Sequence, residues 1–346
     1  MNIRTVGSAG AATVAAALLT FAGPATPAGA NAGTCVAQTR ATLTSTGSPF
    51  GGDGRSTITW TADVPDGCAP ISIKLNGSTV ARQGSLKVQP AVGTAYTLRA
   101  VYGSQGRDLG ITGALGGKVL TYATSLAGFV PTPTGVGVPE AGALAHRVLA
   151  SLSNSSRLQL SGRVVEVHVI PVNVALTDLE PWRYLRNRMT CDDLTPGAAP
   201  GAKIPGCVDD RPWNAVRGTG GTVIPGTNRL AVSVGAEEVT TTTRVPTNGR
   251  GHILVHELGH AVLTYATAPA LRTTVTQTLM ARGPNATYVG RDSYTSSSPD
   301  EYWAEGTAAL FGYYNAYLLR HEYTEAWLDL NDRPLLGLLR GVYARR

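Results

Sequence analysis

A His-Glu-x-x-His motif at residues 256–260 places the strongest constraint on the fold of this 346-residue chain. On a helix, His256 and His260 lie about one turn apart on the same face, where both imidazoles can bind one metal ion. Glu257 is offset from them, toward the position that a catalytic metal leaves open, and is the predicted general base. Flanking apolar residues give the helix a buried face. The motif therefore predicts a buried helix with a zinc site that holds one Zn²⁺ per chain.

Two other interpretations concern the histidines of this helix. A core helix with two surface histidines would produce the same letters without a metal. His252 lies four residues before His256, but Ile253 occupies the position at which that pair would need its base. We therefore expect His252 in the first helical turn, near solvent and outside the metal site.

The third metal ligand has to come from farther along the chain. A metzincin would carry Gly and His at positions 263 and 266, but these are Leu263 and Ala266. Residues 261–291 contain no Asp, Glu, His or Cys, which excludes a ligand soon after the helix. The next acidic residues along the chain are Asp292, Asp300, Glu301 and Glu305.

A second helix is predicted to supply this ligand. Pro299 favours a helix start, and an apolar pattern continues through Leu319, with Glu301 and Glu305 on one face. Two acidic residues on one face of a largely apolar helix need a common role. We predict that Glu301 binds zinc and that Glu305 accepts a hydrogen bond from a zinc-bound histidine. The alternative is that Ser298 and Glu301 form a capping box, which needs no metal.

Residues 31–124 are predicted to form a β-sandwich accessory domain. Apolar residues alternate with polar ones at 58–60, 71–75 and 96–100, and turn signals such as Asn76-Gly77 separate these segments. Several short strands at this spacing are typical of a small sandwich. No catalytic residue pattern occurs within them.

The remainder of the chain is predicted to be a linker at 125–139 and an α+β zincin-type metallopeptidase domain at 140–346. We expect a mainly antiparallel sheet above the metal helix, followed by a second, helical half that carries Glu301. A helix is predicted at 176–187, and loops at 189–228, where Gly and Pro are frequent.

The N-terminus has the features of a secretory signal peptide at residues 1–30. Arg4 precedes a short apolar run, and Ala28-Gly29-Ala30 has the form of a cleavage site. An uncleaved anchor is the alternative, although the run is too short to span a bilayer. The mature protein is therefore expected to be secreted.

Four cysteines follow the cleavage site, and an even number in an exported chain indicates disulfides. Four cysteines allow three pairings. Pairing Cys35 with Cys68 and Cys191 with Cys207 keeps each bridge inside one predicted domain. Metal binding by these cysteines is excluded because the chain contains no Cys-x-x-Cys.

Composition and charge limit the partners. A hydrophobic content of 43% with 15% charged residues is typical of a globular protein. The formal net charge is +6, but the basic residues are scattered and form no run, so no nucleic-acid partner is expected. No segment is long enough for a membrane span. We expect a monomer whose partner is a protein or peptide substrate.

Together, His256-Glu257-Leu258-Gly259-His260 and Glu301-Tyr302-Trp303-Ala304-Glu305 resemble the catalytic domain of anthrax lethal factor and the related Pro-Pro endopeptidases. In that family the second motif runs Glu-aromatic-aromatic-Ala-Glu, and its first Glu, which matches Glu301, is the third zinc ligand. The resemblance also implies a catalytic role for Tyr294, which lies seven residues before that ligand.

The resemblance covers roughly residues 140–346. Residues 211–221 are similar to the Trp-and-glycine loop that precedes the metal helix in this family. Residues 35–124 have no counterpart in this family. The loop between Cys191 and Cys207 resembles an insertion that is specific to this chain. Since members of the family cleave unrelated targets, the substrate stays open.

The expected function is therefore that of a secreted zinc metalloendopeptidase. Zinc bound by two histidines and a glutamate would activate water, with Glu257 as the general base. Two alternatives remain. One is a surface-adhesion or binding protein with a zinc-bearing but catalytically silent fold, and the other is a toxin-like effector protease.

Overall fold

The fold combines several β-sheets with helices, as the sequence patterns predict. The computed structural model describes residues 31–47, 50, 55–89, 93–122, 131–132, 135–240, 251–283, 286–290, 292–313 and 322–344. The predicted signal peptide and much of the predicted linker, residues 125–130 and 133–134, lie outside the described residues.

Two antiparallel sheets are formed by the first part of the chain, where apolar and polar residues alternate. The first has the order β1-β2-β5 and the second the order β4-β3-β6-β7. Their strands are β1 (Arg40–Gly47), β2 (Ser56–Asp63), β3 (Ser72–Leu75), β4 (Ser78–Val80), β5 (Gln83–Val88), β6 (Thr94–Tyr102) and β7 (Gln105–Ala114).

One apolar core lies between these two sheets. Ile58 and Trp60 of β2 and Leu98 of β6 are buried in it. The disulfide-bonded Cys35 and Cys68 belong to the same core. Cys35 belongs to a short helix, α1 (Ala32–Gln38), so this part of the chain is not purely β. The predicted Cys35–Cys68 pairing is confirmed.

A third sheet of five strands has the order β11-β12-β10-β8-β9. The central strand β10 pairs in parallel with both of its neighbours, whereas the two outer pairings are antiparallel. The expected mainly antiparallel sheet is therefore wrong, because helical crossovers return the chain to the same end of the sheet. The strands are β8 (Gly116–Tyr122), β9 (Pro131–Thr132), β10 (Val164–Ile170), β11 (Gly218–Val223) and β12 (Arg229–Gly235).

Strand β8 links the two regions of the chain. It lies inside the predicted accessory domain by sequence, but it is hydrogen-bonded in register with β10 from Gly116 to Thr121. The third sheet therefore takes β8 from before residues 125–139, β9 from within them, and β10, β11 and β12 from after them.

Helices cover the third sheet and complete the second half of the chain. None of the helices in the described ranges has the length and apolar content needed to cross a lipid bilayer. They are α2 (Val138–Ala150), α3 (Asn154–Leu160), α4 (Ala236–Val239), α5 (His252–Tyr265), α6 (Pro269–Arg282), α7 (Asp292–Thr295), α8 (Pro299–Phe311), α9 (Glu325–Asn331) and α10 (Arg333–Tyr343).

Three local predictions differ from the structure. Residues 176–187 form two short 3₁₀ helices, Leu176–Asp178 and Glu180–Leu185, instead of one α-helix. The predicted loop at 189–228 contains strand β11 and a third 3₁₀ helix, Trp213–Ala215. Helix α8 ends at Phe311, before Leu319, because Gly312 adopts the left-handed conformation that ends helices (φ 74°).

The second disulfide pairing is also confirmed. Cys191 is bonded to Cys207, 16 residues further along the chain, and the bridge closes the loop between them. Closing a loop of this size stabilises a fold by about 3 kcal/mol, because it restricts the unfolded chain.

A buried arginine joins the two regions of the fold. Arg157 of α3 is 1% exposed and donates hydrogen bonds to the carbonyl oxygens of Gly47, Ala150 and Leu152 at 2.7–3.3 Å. Burial lowers its pKa to about 10, so the guanidinium stays charged at neutral pH. It bridges the end of β1 and the turn between α2 and α3.

Replacing Arg157 with leucine should therefore destabilise the fold. The three carbonyl groups would lose their donors while still buried, and we expect the free energy of unfolding to fall by about 3–5 kcal/mol. The measurement is urea denaturation followed by circular dichroism. Arg99→Leu is the control, because Arg99 forms only an exposed ion pair with Asp108, at 2.9 Å, and should change stability by less than about 1 kcal/mol. Equal effects of the two substitutions would contradict this role for Arg157.

Candidate metal centre

Helix α5 begins where a glycine turns the chain. Gly251 has φ 85°, which other residues rarely adopt, and its N–H donates to the carbonyl oxygen of Glu238 at 2.8 Å. A Cβ at Gly251 would also lie 3.3 Å from the ring of Tyr313. The turn therefore fixes both the start of α5 and the direction in which its His252–His256–His260 face points.

A second glycine lets α5 and α8 approach closely. A Cβ at Gly259 would lie 3.0 Å from Cα of Ala304 and 3.1 Å from Cβ of Thr307. Real Cβ atoms rarely tolerate such contacts, so a larger residue would push the two helices apart. Because of this contact, side chains on the facing surfaces of α5 and α8 reach one another.

Three side chains converge at this helix pair. Nε2 of His256 lies 3.0 Å from Oε2 of Glu301 and 3.0 Å from Nε2 of His260. Nε2 of His260 lies 3.6 Å from the same Glu301 oxygen. Two imidazole nitrogens and one carboxylate oxygen can together hold a metal ion. Ligands of a tetrahedral ion at about 2.0–2.2 Å are separated by roughly 3–4 Å, so the observed spacing fits one ion.

The cap of α8 leaves the Glu301 carboxylate free to face the histidines. The hydroxyl of Ser298 accepts a hydrogen bond from the N–H of Glu301 at 3.1 Å, which is half of a capping box. The Glu301 carboxylate does not complete the box, since it points at His256 and His260. Asp300 points elsewhere and pairs with Arg272.

Glu305 lies one turn beyond Glu301 and contacts two histidines from behind. Its Oε1 lies 3.2 Å from Nδ1 of His256, and its Oε2 lies 3.2 Å from Nε2 of His252. A carboxylate at Nδ1 favours the tautomer that carries its proton there, which leaves the Nε2 lone pair of His256 for a metal. This is the position predicted for Glu305.

The expectation that His252 lies near solvent is wrong. Its side chain is 8% exposed, and its ring packs edge-on against Tyr323 with centroids 5.2 Å apart. One helical turn separates it from His256, so it lies on the same face and shares the carboxylate of Glu305.

The electrostatics of this cluster favour positive charge. Burial raises the pKa of Glu301 and Glu305, but the adjacent imidazoles hold both values well below their usual range. Burial likewise lowers the pKa of His256, yet the two carboxylates raise it overall, well above its usual value. Two buried carboxylates require a cation between them, and a proton or a metal ion can supply it.

Two overlapping groups of side chains could hold the ion, and they differ in access. His252, His256 and Glu305 are all buried. His260 and Glu301, in contrast, have side chains that are 18% and 23% exposed. A catalytic metal needs an open coordination position, and the more exposed side chains of the second group, completed by His256, favour that group as the catalytic one.

Glu257 lies where strand β11 packs against helix α5. A Cβ at Gly220 would overlap the carbonyl group of Glu257, and one at Gly218 would lie 3.1 Å from its Oε1. Bare backbone at these two positions therefore lets the strand lie directly on the helix. Burial is the main cause that raises the pKa of Glu257 above its usual value. A raised pKa suits a carboxylate that has to take up and release a proton.

Tyr294 is also brought to the cluster, by the short helix α7. Its ring lies 6.1 Å from that of His256 between centroids. Burial, followed by the negative charges of Glu301 and Glu257, raises the pKa of its hydroxyl, which keeps the proton available for donation. Tyr323 lies behind the cluster, where burial and the charge of Glu305 raise the pKa of its hydroxyl too.

Two adjoining cavities flank the cluster and form a cleft. They have volumes of about 490 and 400 Å³, and Gly218, Glu257 and Tyr294 line both of them. The larger one is walled by residues of the disulfide-closed segment, including Ile204, Pro205 and Cys207. The loop closed by Cys191–Cys207, which resembles an insertion, therefore forms part of the cleft wall.

No family model and no curated protein sequence matches the chain. Function has to be inferred from the geometry of the site.

The structure adds residues to the site that the sequence patterns missed. The four-residue spacing of His252 and His256 already indicates that both lie on one face of the helix. The expectation was wrong because it required a glutamate at position 253, which is Ile253. Tyr323 and Glu238 belong to other segments of the chain, and no motif connects either of them with the metal helix.

Replacing the two glutamates separately should distinguish their roles. Glu301→Gln should weaken Zn²⁺ binding more strongly than Glu305→Gln, because we expect Glu301 to be the ligand and Glu305 to orient His256. The second substitution should lower the affinity by about 10- to 100-fold. The measurement is competition with a chromogenic zinc chelator. Asp300→Asn is the control and should leave the affinity unchanged, because its carboxylate pairs with Arg272 and not with the histidines. A greater loss in Glu305→Gln would assign the metal to His252, His256 and Glu305.

Proposed function

We propose that this chain is a secreted zinc metallopeptidase. The observation that carries the proposal is the convergence of His256, His260 and Glu301 at 3.0–3.6 Å, beside Glu257 and an open cleft. One Zn²⁺ per chain fits the two imidazoles and the carboxylate, a ligand set that is frequent in catalytic zinc sites. The resemblance to lethal factor-like enzymes and Pro-Pro endopeptidases agrees with this arrangement.

Export is part of the same proposal. The N-terminal signal pattern predicts secretion, and the disulfides Cys35–Cys68 and Cys191–Cys207 are typical of proteins in oxidising compartments. We infer a monomer that acts on protein or peptide substrates.

Different side chains of the cleft would carry out different steps of peptide hydrolysis. Zinc in such a site supplies Lewis acidity, which polarises the peptide carbonyl and lowers the pKa of water to about 7. Glu257 removes a proton from the attacking water and then delivers it to the nitrogen of the leaving amine.

Tyr294 has the chemistry of an oxyanion donor. Its hydroxyl stays protonated at neutral pH and lies beside Glu301, on the side of the cluster that faces the cleft. There it can donate a hydrogen bond to the carbonyl oxygen as negative charge develops on it. Glu305 and His252 act indirectly. Glu305 contacts both histidines, and this holds the ring of His256 in place.

Glu257→Gln should abolish hydrolysis while zinc stays bound. The amide cannot accept the proton, and a role of this type contributes roughly 100- to 10,000-fold to the rate. Zinc content is measured by mass spectrometry of the purified protein, and activity by digestion of a peptide library with and without a chelator. Glu140→Gln, an exposed residue of α2, should match the wild type in both measurements. Loss of zinc from Glu257→Gln would instead make Glu257 a ligand.

Tyr294→Phe should lower kcat with little change in KM. Removing one donor to an oxyanion reduces kcat by about 100- to 1,000-fold, since the contact forms mainly in the transition state. Steady-state kinetics on a single cleaved peptide provide the measurement, and Tyr184→Phe, which is exposed on the surface, is the matched control. An unchanged kcat would remove Tyr294 from the mechanism.

The same library digestion separates the proposal from its two alternatives. A zinc-bearing but silent binding protein would bind the metal and cleave no peptide in the library. A toxin-like effector would cleave one restricted sequence and leave the remainder of the library intact. A peptidase of broader action should cleave several peptides, and all cleavage should stop when the chelator is added.

A further inference from the structure

The smaller cavity, of about 400 Å³, carries more charge than the metal centre requires. It opens beside Glu257 and His256. Its charged or titratable lining side chains are Asp209, Arg211, Arg217, Glu238, His252, His256, Glu257, Tyr294 and Glu305. Most of these charged groups have a partner within the protein, and a charge without such a partner can bind a ligand.

Arg217 already has a carboxylate partner. Its Nε and one Nη contact the two carboxylate oxygens of Glu237 at 2.6 and 2.9 Å. It also donates hydrogen bonds to the backbone carbonyl oxygens of residues 170, 171 and 174. The charge of this guanidinium is therefore matched by Glu237 and not by Glu238.

Two further acidic residues of the cavity are compensated as well. Asp209 pairs with Arg211 at 3.0 Å. Glu305 contacts His252 and His256, both at 3.2 Å. Glu257 is reserved for proton transfer in the proposed mechanism.

Glu238 is the carboxylate that stays uncompensated. Within the part of the chain that the structure describes, its side chain has no hydrogen bond or ion pair, and it is half-buried in the cavity wall. Burial, and then the charge of neighbouring Glu237, raise its pKa, and the more distant charges of His252 and Arg217 offset this rise only in part. Its backbone is held firmly, because its carbonyl oxygen accepts the N–H of Gly251 at the start of α5.

The carboxylates at the opposite end of the cleft already have partners. In the larger cavity, Asp300 pairs with Arg272, and Glu301 faces His256 and His260. A positively charged group would therefore gain more from the end that contains Glu238.

We propose that Glu238 binds a cationic nitrogen group of the peptide substrate, namely the side chain of a Lys or Arg residue close to the scissile bond. The inference rests on the peptidase function proposed above. A half-buried carboxylate in a cavity that also contains His256 and Glu257 can form a charge-assisted hydrogen bond with an ammonium or guanidinium group. Such a contact changes kcat/KM by about 10- to 100-fold between a cationic and a neutral residue.

The test uses quenched fluorescent peptides that are acetylated at the N-terminus and amidated at the C-terminus. Each position near the cleaved bond is varied among Lys, Arg, Gln and Glu. The zinc-loaded wild type should prefer Lys or Arg at one position by 10- to 100-fold in kcat/KM. Glu238→Gln should remove this preference, and Glu238→Lys should reverse it in favour of Glu. Asp66→Asn, which removes the same charge from an exposed turn between β2 and β3, should keep the wild-type preference.

A second arm identifies the source of the cation. Neutral peptides with a free N-terminus are compared with their acetylated forms. If only a free α-amine is favoured, and only while Glu238 is present, the recognition of a cation is supported but the assignment to a side chain is overturned. If the wild type cleaves all these peptides equally well, the inference is overturned while the peptidase function stands.

Binding provides a measurement that does not need turnover. Glu257→Gln, loaded with zinc, should bind a labelled Lys-containing peptide about 10-fold or more tightly than its Gln counterpart in fluorescence anisotropy. Adding Glu238→Gln should make the two affinities equal. If the wild type cleaves nothing, the peptidase proposal fails, and an equal affinity for both peptides in this assay would then overturn the role of Glu238 as well.

Discussion

The close contact between α5 and α8 is the constraint on which the metal centre depends. Gly259 and Ala304 bring the two helices together at backbone distance. Only at this separation can the short carboxylate arm of Glu301 reach the imidazoles of His256 and His260. Moving the helices apart by one methyl group would open the ligand spacing by a comparable amount, and metal sites tolerate deviations of only about 0.2 Å.

Burial of charge is the consequence of that packing. Glu305 is 4% exposed, on a helix whose other buried side chains are mostly apolar. An isolated carboxylate there would strongly destabilise the fold, but His252 and His256 each lie 3.2 Å from one of its oxygens. The same contacts hold the ring of His256. Stability and the orientation of a metal ligand therefore depend on one set of contacts.

The cleft is built on the other side of α5 by strand β11. Gly218 and Gly220 let that strand lie against Glu257, and the disulfide-closed segment that precedes it forms the far wall. Because the wall is covalently closed by Cys191–Cys207, it can present exposed apolar side chains such as Ile204 and Val208 to a substrate without losing its shape. The two ends of the cleft then differ in their carboxylates: Asp300 and Glu301 at one end have partners, whereas Glu238 at the other end has none among the described residues.

The sequence by itself determined the features that depend on local spacing. A period of about 3.6 residues places His256 and His260 on one face, and the same rule places Glu301 above Glu305. Alternation predicted the strands around Ile58, and an even cysteine count with local spacing predicted both disulfides. Only the tertiary structure decided what depends on contacts between distant segments: the burial of His252, the parallel pairing of β8 with β10, and the turn of the Glu301 carboxylate away from its own helix cap. The physical reason is that helical and strand periods orient a side chain relative to its own backbone, whereas the choice of partner follows from how closely two elements pack, which here was set by glycines at the contact points.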